Sequence, residues 1–573
     1  MSSAHSYDII VRGGSVADGR GGPVFEADVA VRDGLIVEVG RVVGSATEEI
    51  DAKGLLVTPG FIDLHTHYDG QVTWSDRLDP SSEHGVTTIV TGNCGVGFAP
   101  VRGGDHDRLI RLMAGVEDIP EVVMAAGLTW QWETFPEYLD AVDSHPHDVD
   151  IAALLPHSAL RVYVMGQRAV DREVATSADI SAMAELAHGA MRAGAMGFGT
   201  SRALQQRSIT GEPIPSVRAS EDELRGILAA ISGAGHGVFQ LLSDFFEFTD
   251  IDGEFEMLRR LVAETRVPTM FTVNQKHSVP DGWRRLLDLT ATAAADGLPI
   301  KAQVLGRPTG LLLGHELSLT PFEKCPTYAA LRPLPLEARL VELRRPDVRA
   351  QIIAEAAGLP EAPWHVRFEL GDPPCYEPRA SESMTARALS AGCSPAEVAY
   401  DVLLQDDGHQ LMLHAMQNYA AGSLDACYEM LRDENSVLGL GDGGAHLGLI
   451  CDSSFPTTML SYWARDRRGP RLSVEEVVHA LTLQPAHAIG LEDRGLIEPG
   501  KKADLNVIDH EHLREHRPVV VHDLPGGGRR MVQHATGYVA TVLSGQVTRR
   551  DGVPTGALPG RLVRGPRRST AVS

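Results

Sequence analysis

The chain has 573 residues, 43% hydrophobic and 22% charged, the profile of a soluble globular protein with several domains or one large barrel plus an appendage. Its formal net charge of −24 argues against a partner with a phosphate backbone and against anionic membrane surfaces. The cysteines stand singly with no CxxC pair, the start "MSSAHSYDII" lacks a basic-then-apolar leader, and no apolar run is of membrane length; a cytoplasmic protein without a disulfide scaffold or membrane span is expected.

The first stretch, "YDIIVRGGSVADGRGGPVFEADVAVRDGLIVEVG", reads as short alternating strands broken by Gly and Asp turns. Near the other end "GLIEPGKKADLNVID" and "YVATVLSGQVTRRDGVPTG" read the same way. Residues 1–58 and 496–573 are therefore expected to build one small β-sandwich domain from both termini. Between them, in 59–495, apolar strand-like runs alternate with helical ones. The strand candidates are "GFIDL", "GVTTIVTGNC", "DVDIAALLPHS", "AMGFGTS", "GVFQLLSD", "VPTMFTVNQ", "LPIKAQVLG" and "SVLGLGD". Segments such as "SADISAMAELAHGAMRAG" and "DGWRRLLDLTATAAADG" supply helices. That makes about eight β/α units, the α/β pattern of a (β/α)8 TIM barrel. The proline- and charge-rich region of about 320–387 interrupts the rhythm and is expected to insert over the barrel mouth. The tail "RLVRGPRRSTAVS" is basic and expected to fray.

In such a barrel, functional side chains stand at the C-terminal ends of strands. In "GFIDLHTHYDG", His65 and His67 leave one strand end two residues apart and so face one point. Paired at the mouth of an apolar strand, they read as metal ligands rather than as hydrogen-bonded surface histidines. The same rule picks out Cys94 in "TGNCG", His157 in "LLPHSALR" and Asp442 in "GLGDGG". Thiolate, imidazole and carboxylate together suit zinc. Cys94 has a structural reading as a buried thiol and Asp442 one as a turn stabiliser. "GLGDGG" also fits GxGxxG, but without a βαβ context the match is treated as chance.

The segments "LLVTPGFIDLHTHYD", "GVTTIVTGNCGVGFAPVR", "LLPHSALR", "GKKADLNVID" and "DLPGGGRRMVQHATGYVATVLSGQVTRRDGVPTGALPGRLVRG" resemble the amidohydrolase superfamily, in its N-acyl-D-amino-acid deacylase (D-aminoacylase) branch. The resemblance runs from the first strand to the C-terminus and is weaker between Gly237 and Arg387. It implies a TIM barrel with a small terminal β-domain, a zinc site and hydrolysis of an amide C–N bond. On it, His65 and His67 match the HxHxD ligand pair, Cys94 the cysteine ligand and Asp442 the catalytic aspartate. Three positions depart from the pattern. A "THMR"-like segment has become "FQLLSD", with Leu242 near the ligand position. An "SHHK"-like segment has become "VNQK", with Asn274 at the ligand position and Lys276 keeping the lysine. The "HPR" whose arginine holds a substrate carboxylate has become Cys451 to Ser453.

The resulting expectation is a hydrolase with one zinc per chain. His65 and His67 hold the metal, completed by Cys94 or Asp442, and zinc activates water and polarises the amide carbonyl. Asp442 moves the proton from water to the leaving nitrogen. His157 is read as an oxyanion donor or, equally, as a packed histidine. Lys276 is read as a partner for an acidic group on a small-molecule amide substrate. His277, His446 and Gln240 are spare donors near the same rim. A degenerate barrel that only binds, and a lyase or isomerase using the same metal, are the alternatives from other classes. No nucleic-acid or membrane partner is expected, and homo-oligomerisation stays open.

Overall fold

A run of short strands, most of them buried on both faces, sets the centre of the molecule. The computed structural model describes residues 7–245, 250–360 and 362–566. In it, all eight strand-like runs read from the sequence enter one eight-stranded sheet. Its members are β1 (Phe61–Asp63), β2 (Val86–Thr91), β3 (Asp150–Pro156), β4 (Gly197–Ser201), β5 (Val238–Leu242), β6 (Thr269–Thr272), β7 (Ile300–Val304) and β8 (Ser436–Leu438). Every neighbouring pair is parallel. Strands β2, β3, β4 and β6 are buried at every position, which is why they read as continuous apolar runs rather than alternating ones.

The two edges of this sheet meet just beyond its C-terminal ends. Thr66, past β1, forms a parallel bridge with Gly443, past β8. His67 N donates to Gly443 O (2.7 Å), and Asp442 N donates to His65 O (2.9 Å). The sheet is therefore curled, as in a TIM-like barrel, and the glycines of "GLGDGG" serve that closure. A Cβ on Gly441 would stand 2.0 Å from Asp63 Oδ2, so only glycine permits the approach. The connecting helices bury one face on the sheet. The helix Ser177–Ala193 starts at a Thr176/Asp179 capping box and stops at left-handed Gly194, as its sequence pattern requires.

Both termini enter a second, nine-stranded sheet. Leu505–Ile508, from the C-terminal part, pairs antiparallel with Leu56–Pro59 from the N-terminal part. Val11, Val29, Val57, Leu505 and Val542 form its core. Part of the tail expected to fray is docked instead. Leu562 and Val563 are buried, and Val563 N donates to Ile151 O (2.7 Å) alongside β3. The apolar Leu-Val pair gives this stretch a reason to stay down; the basic residues beyond 566 lie outside the described residues.

Between β7 and β8 the chain forms a three-stranded antiparallel sheet (Gly310–Leu313, Arg367–Glu369 and Met412–Ala415) and several helices. Phe322, Tyr328, Leu343, Ile352 and Tyr400 pack as a separate core there. No helix among the described residues is long and apolar enough to cross a membrane.

Candidate metal centre

His65 and His67 follow β1 directly and are 2% exposed. Cys94 sits in the turn after β2 with φ 53°, and Asp442 follows β8 with φ 48°. Non-glycine residues in that region cost about 1–3 kcal/mol each and persist where the surroundings fix them. Here the surroundings do so. Cys94 N donates to Gln240 Oε1 of β5 (3.1 Å), and Asp442 N is tied to His65 O.

The side chains converge. Cys94 Sγ lies 3.3 Å from His65 Nε2. Asp442 Oδ1 lies 3.5 Å from His65 Nε2 and 3.6 Å from His67 Nε2. The candidate ligand atoms of His65, His67 and Cys94 all fall within 4.8 Å of one another. On the far side of the His65 ring, Nδ1 is 3.1 Å from Gln303 Oε1 of β7. Since that amide oxygen only accepts, Nδ1 carries the proton and Nε2 turns a lone pair toward the centre.

Burial and neighbouring charges shift the protonation of these groups in different directions. Burial lowers His65 to about 4, so its imidazole is neutral, the ligating form. Burial also pushes the Cys94 thiol up to about 11. For His67 burial pulls downward, but the Glu117 carboxylate and the hydrogen bond to Asp442 outweigh it and raise its pKa. Burial of Asp442 is likewise outweighed, chiefly by the hydrogen bond to His67 and the charge of that imidazole, and its carboxyl is held well below the usual range. Two imidazoles, a thiol and a carboxylate around one buried point form a donor set that fits zinc.

The other residues singled out from sequence divide. Leu242, Asn274 and Lys276 line the cavity that holds His65, His67, Cys94 and Asp442. Lys276 Nζ is 3.4 Å from Asp244 Oδ1. His446 also lines it, with Nε2 3.5 Å from Glu117 Oε2, whereas His277 Nε2 lies 3.0 Å from Ala415 O of the inserted sheet. His157 is not brought to the cavity. It is fully buried at the start of the helix His157–Met165, with Nδ1 2.7 Å from Thr200 Oγ1 and Nε2 2.9 Å from Glu223 Oε1. Both ring nitrogens are engaged by these partners, and the residue does not line the cavity.

Three groups at the site escape the strand-end rule. Glu117, just after the helix His106–Val116, is 1% exposed and lines the cavity. Its Oε1 is 3.6 Å from His67 Nδ1. Gln303 lies inside a strand and acts through His65. Asp63, inside "GFIDL", accepts from His65 N (3.1 Å), and burial raises it to about 7. A carboxylate inside an apolar strand was the available signal for Asp63; for Glu117, one of two adjacent acids in a turn, there was none.

The model of the amidohydrolase family matches residues 48–549, most of the chain. The chain belongs to the amidohydrolase family. An uncharacterized protein of Mycobacterium tuberculosis is 30% identical over 96% of this chain and 92% of its own length. An N-acyl-D-aspartate deacylase of Alcaligenes xylosoxydans xylosoxydans is 27% identical over 89% of this chain and 87% of its own. The crystal structure of an N-acyl-D-glutamate deacylase from Bordetella bronchiseptica, complexed with zinc and a phosphonate inhibitor, shares the fold. Its TM-score is 0.63 at 21% identity, covering 97% of this chain and 99% of that one. This amidohydrolase is thus similar to the N-acyl-D-amino-acid deacylases.

Proposed function

We propose that this amidohydrolase hydrolyses the C–N bond of a small-molecule, non-peptide amide, an N-acyl amine or amino acid, with one zinc ion held by His65, His67, Cys94 and Asp442. The observation that carries the reading is the convergence of those four side chains, from the ends of β1, β2 and β8, on one buried point at the wall of a cavity. Zinc at that point supplies Lewis acidity, polarising a carbonyl and making water a better nucleophile at neutral pH. Asp442 accepts the proton of the attacking water and delivers it to the leaving nitrogen. Gln303 fixes the His65 tautomer, and Glu117 orients His67 from behind. The middle strands support a single ion: Leu242 has no donor, and the neutral amide of Asn274 is a poor zinc ligand.

The scaffold of this reading is a closed (β/α)8 barrel over 59–495, interrupted by the insertion, with a β-sandwich formed by the described strands of both termini, the last of them Val553–Pro554. The unpaired state of Cys94, Cys325, Cys375, Cys393, Cys427 and Cys451 suits the cytoplasm. A turnover screen of N-acyl-D- and N-acyl-L-amino acids and uncharged amides, with and without zinc, tests the activity. Zinc-dependent release of amine from at least one of them is expected; a fully zinc-loaded protein inert toward all of them contradicts the reading.

A further inference from the structure

We propose that Asp452 is the substrate-recognition group of this cavity, and that it receives a hydrogen-bond donor, a primary amide or an ammonium, carried by the substrate beside its scissile bond. The inference rests on the amide-hydrolase reading for the identity of that bond.

Asp452 lines the same cavity as His65 and Asp442 and is 5% exposed. Its Oδ2 is buried without a hydrogen-bond partner. Such an atom costs roughly 1–3 kcal/mol unless something satisfies it, and the residue that carries it borders the cavity. Behind it stands Arg307, whose Nη2 is 3.4 Å from Asp452 Oδ1. Arg307 is itself fully enclosed. Its Nη1 donates to Ser454 Oγ (2.6 Å), lies 3.7 Å from Glu515 Oε2, and the guanidinium stacks 3.5 Å over the Tyr376 ring. The arginine therefore holds Asp452 in place and presents no face to the cavity. What the wall offers an incoming group is the carboxylate.

The rest of the wall has the same polarity. Among the described residues that line it, the carboxylates are Glu117, Asp244, Asp442 and Asp452. Against them stand Lys276, already beside Asp244, and the imidazoles of His65, His67 and His446, with no arginine. Burial raises Asp452 to about 7, and Arg307 opposes the rise. A ligand donor satisfies the unpartnered carboxylate oxygen, whereas a ligand carboxylate brings a second acceptor beside it.

The test uses the full-length, zinc-loaded protein and three matched probes: N-acetylalanine, N-acetylalaninamide and N-acetyl-1,2-diaminopropane, each as both enantiomers. They differ in presenting a carboxylate, a primary amide or an ammonium at one position. Calorimetric binding is expected to favour the amide and the ammonium over the carboxylate by roughly tenfold or more. In Asp452→Asn, with zinc content and melting temperature measured alongside, the preference should collapse to about twofold. Carboxylate binding as tight as that of the other two, no binding of any probe, or an undiminished preference in a folded, zinc-loaded Asp452→Asn protein overturns the proposal. If that variant does not fold, the parent's ranking of the three probes still decides. Turnover is read separately: selective binding of the donors with no hydrolysis of any amide overturns the hydrolase reading and leaves the recognition role standing, while hydrolysis with a carboxylate preference does the reverse.

Discussion

Glu117 Oε1 lies 3.6 Å from His67 Nδ1, while Asp442 Oδ1 lies 3.6 Å from Nε2 of the same ring. The imidazole thus lies between a carboxylate on the side of the candidate metal centre and a carboxylate behind it. Glu117 Oε1 and His67 Nδ1 are both buried without a hydrogen-bond partner, so the 3.6 Å ion-pair contact between them is what each has. A carboxylate behind a ligating histidine fixes the ring orientation and raises its basicity.

Glu117→Gln keeps the shape of the side chain and removes the charge. Zinc affinity, measured by chelator competition, should fall by about 10–100-fold, the range seen when partners behind a ligand are removed. Affinity equal to the parent's would show that His67 is oriented by the chain fold alone.

Asp442→Asn tests the proton carrier. Turnover on any amide the parent hydrolyses should fall by about 100-fold or more, with the melting temperature close to the parent's. Near-parental turnover would move the proton transfer to another group.

The pH prediction concerns His84, which is remote from the metal centre. It is fully buried, with Nδ1 2.7 Å from Thr457 Oγ1 and Nε2 2.8 Å from Gln533 O, and burial lowers it to about 4. Because its folded pKa lies below the unfolded value near 6.5, the unfolded chain binds the extra proton first. The contribution of His84 to stability is complete above pH ~6.5, declines as pH falls, and is gone by about pH 4. On the order of 3 kcal/mol is at stake. Denaturation midpoints of the parent and His84→Gln, compared from pH 7 to pH 4, should converge toward acid as the parent loses this advantage. A difference that stays constant with pH would contradict the assignment.

The central sheet was legible because a parallel strand buried on both faces has to be a continuous apolar run, and such runs survive in a linear reading. His65, His67, Cys94 and Asp442 were legible for a related reason: strand ends in a barrel share one mouth. His157 obeyed the same rule and still went elsewhere. Position at a strand end does not fix the direction of a side chain, and Glu223 and Thr200 draw this one into the packing outside the cavity. Gln303 reads as an ordinary residue of "IKAQV" until the fold sets it beside His65. The Arg307–Asp452 pair joins the stretch after β7 to one after β8, two segments separated in sequence by the insertion. The docking of Leu562 and Val563 was hidden by their basic neighbours.

The most direct test of the account is the zinc content of purified protein by elemental analysis, for the parent, His65→Ala and Asn274→Ala side by side. A single centre built from His65, His67, Cys94 and Asp442 predicts about one zinc per chain in the parent and in Asn274→Ala, and little or none in His65→Ala. Two tightly held ions per chain in the parent, or full zinc retention in His65→Ala, would contradict it.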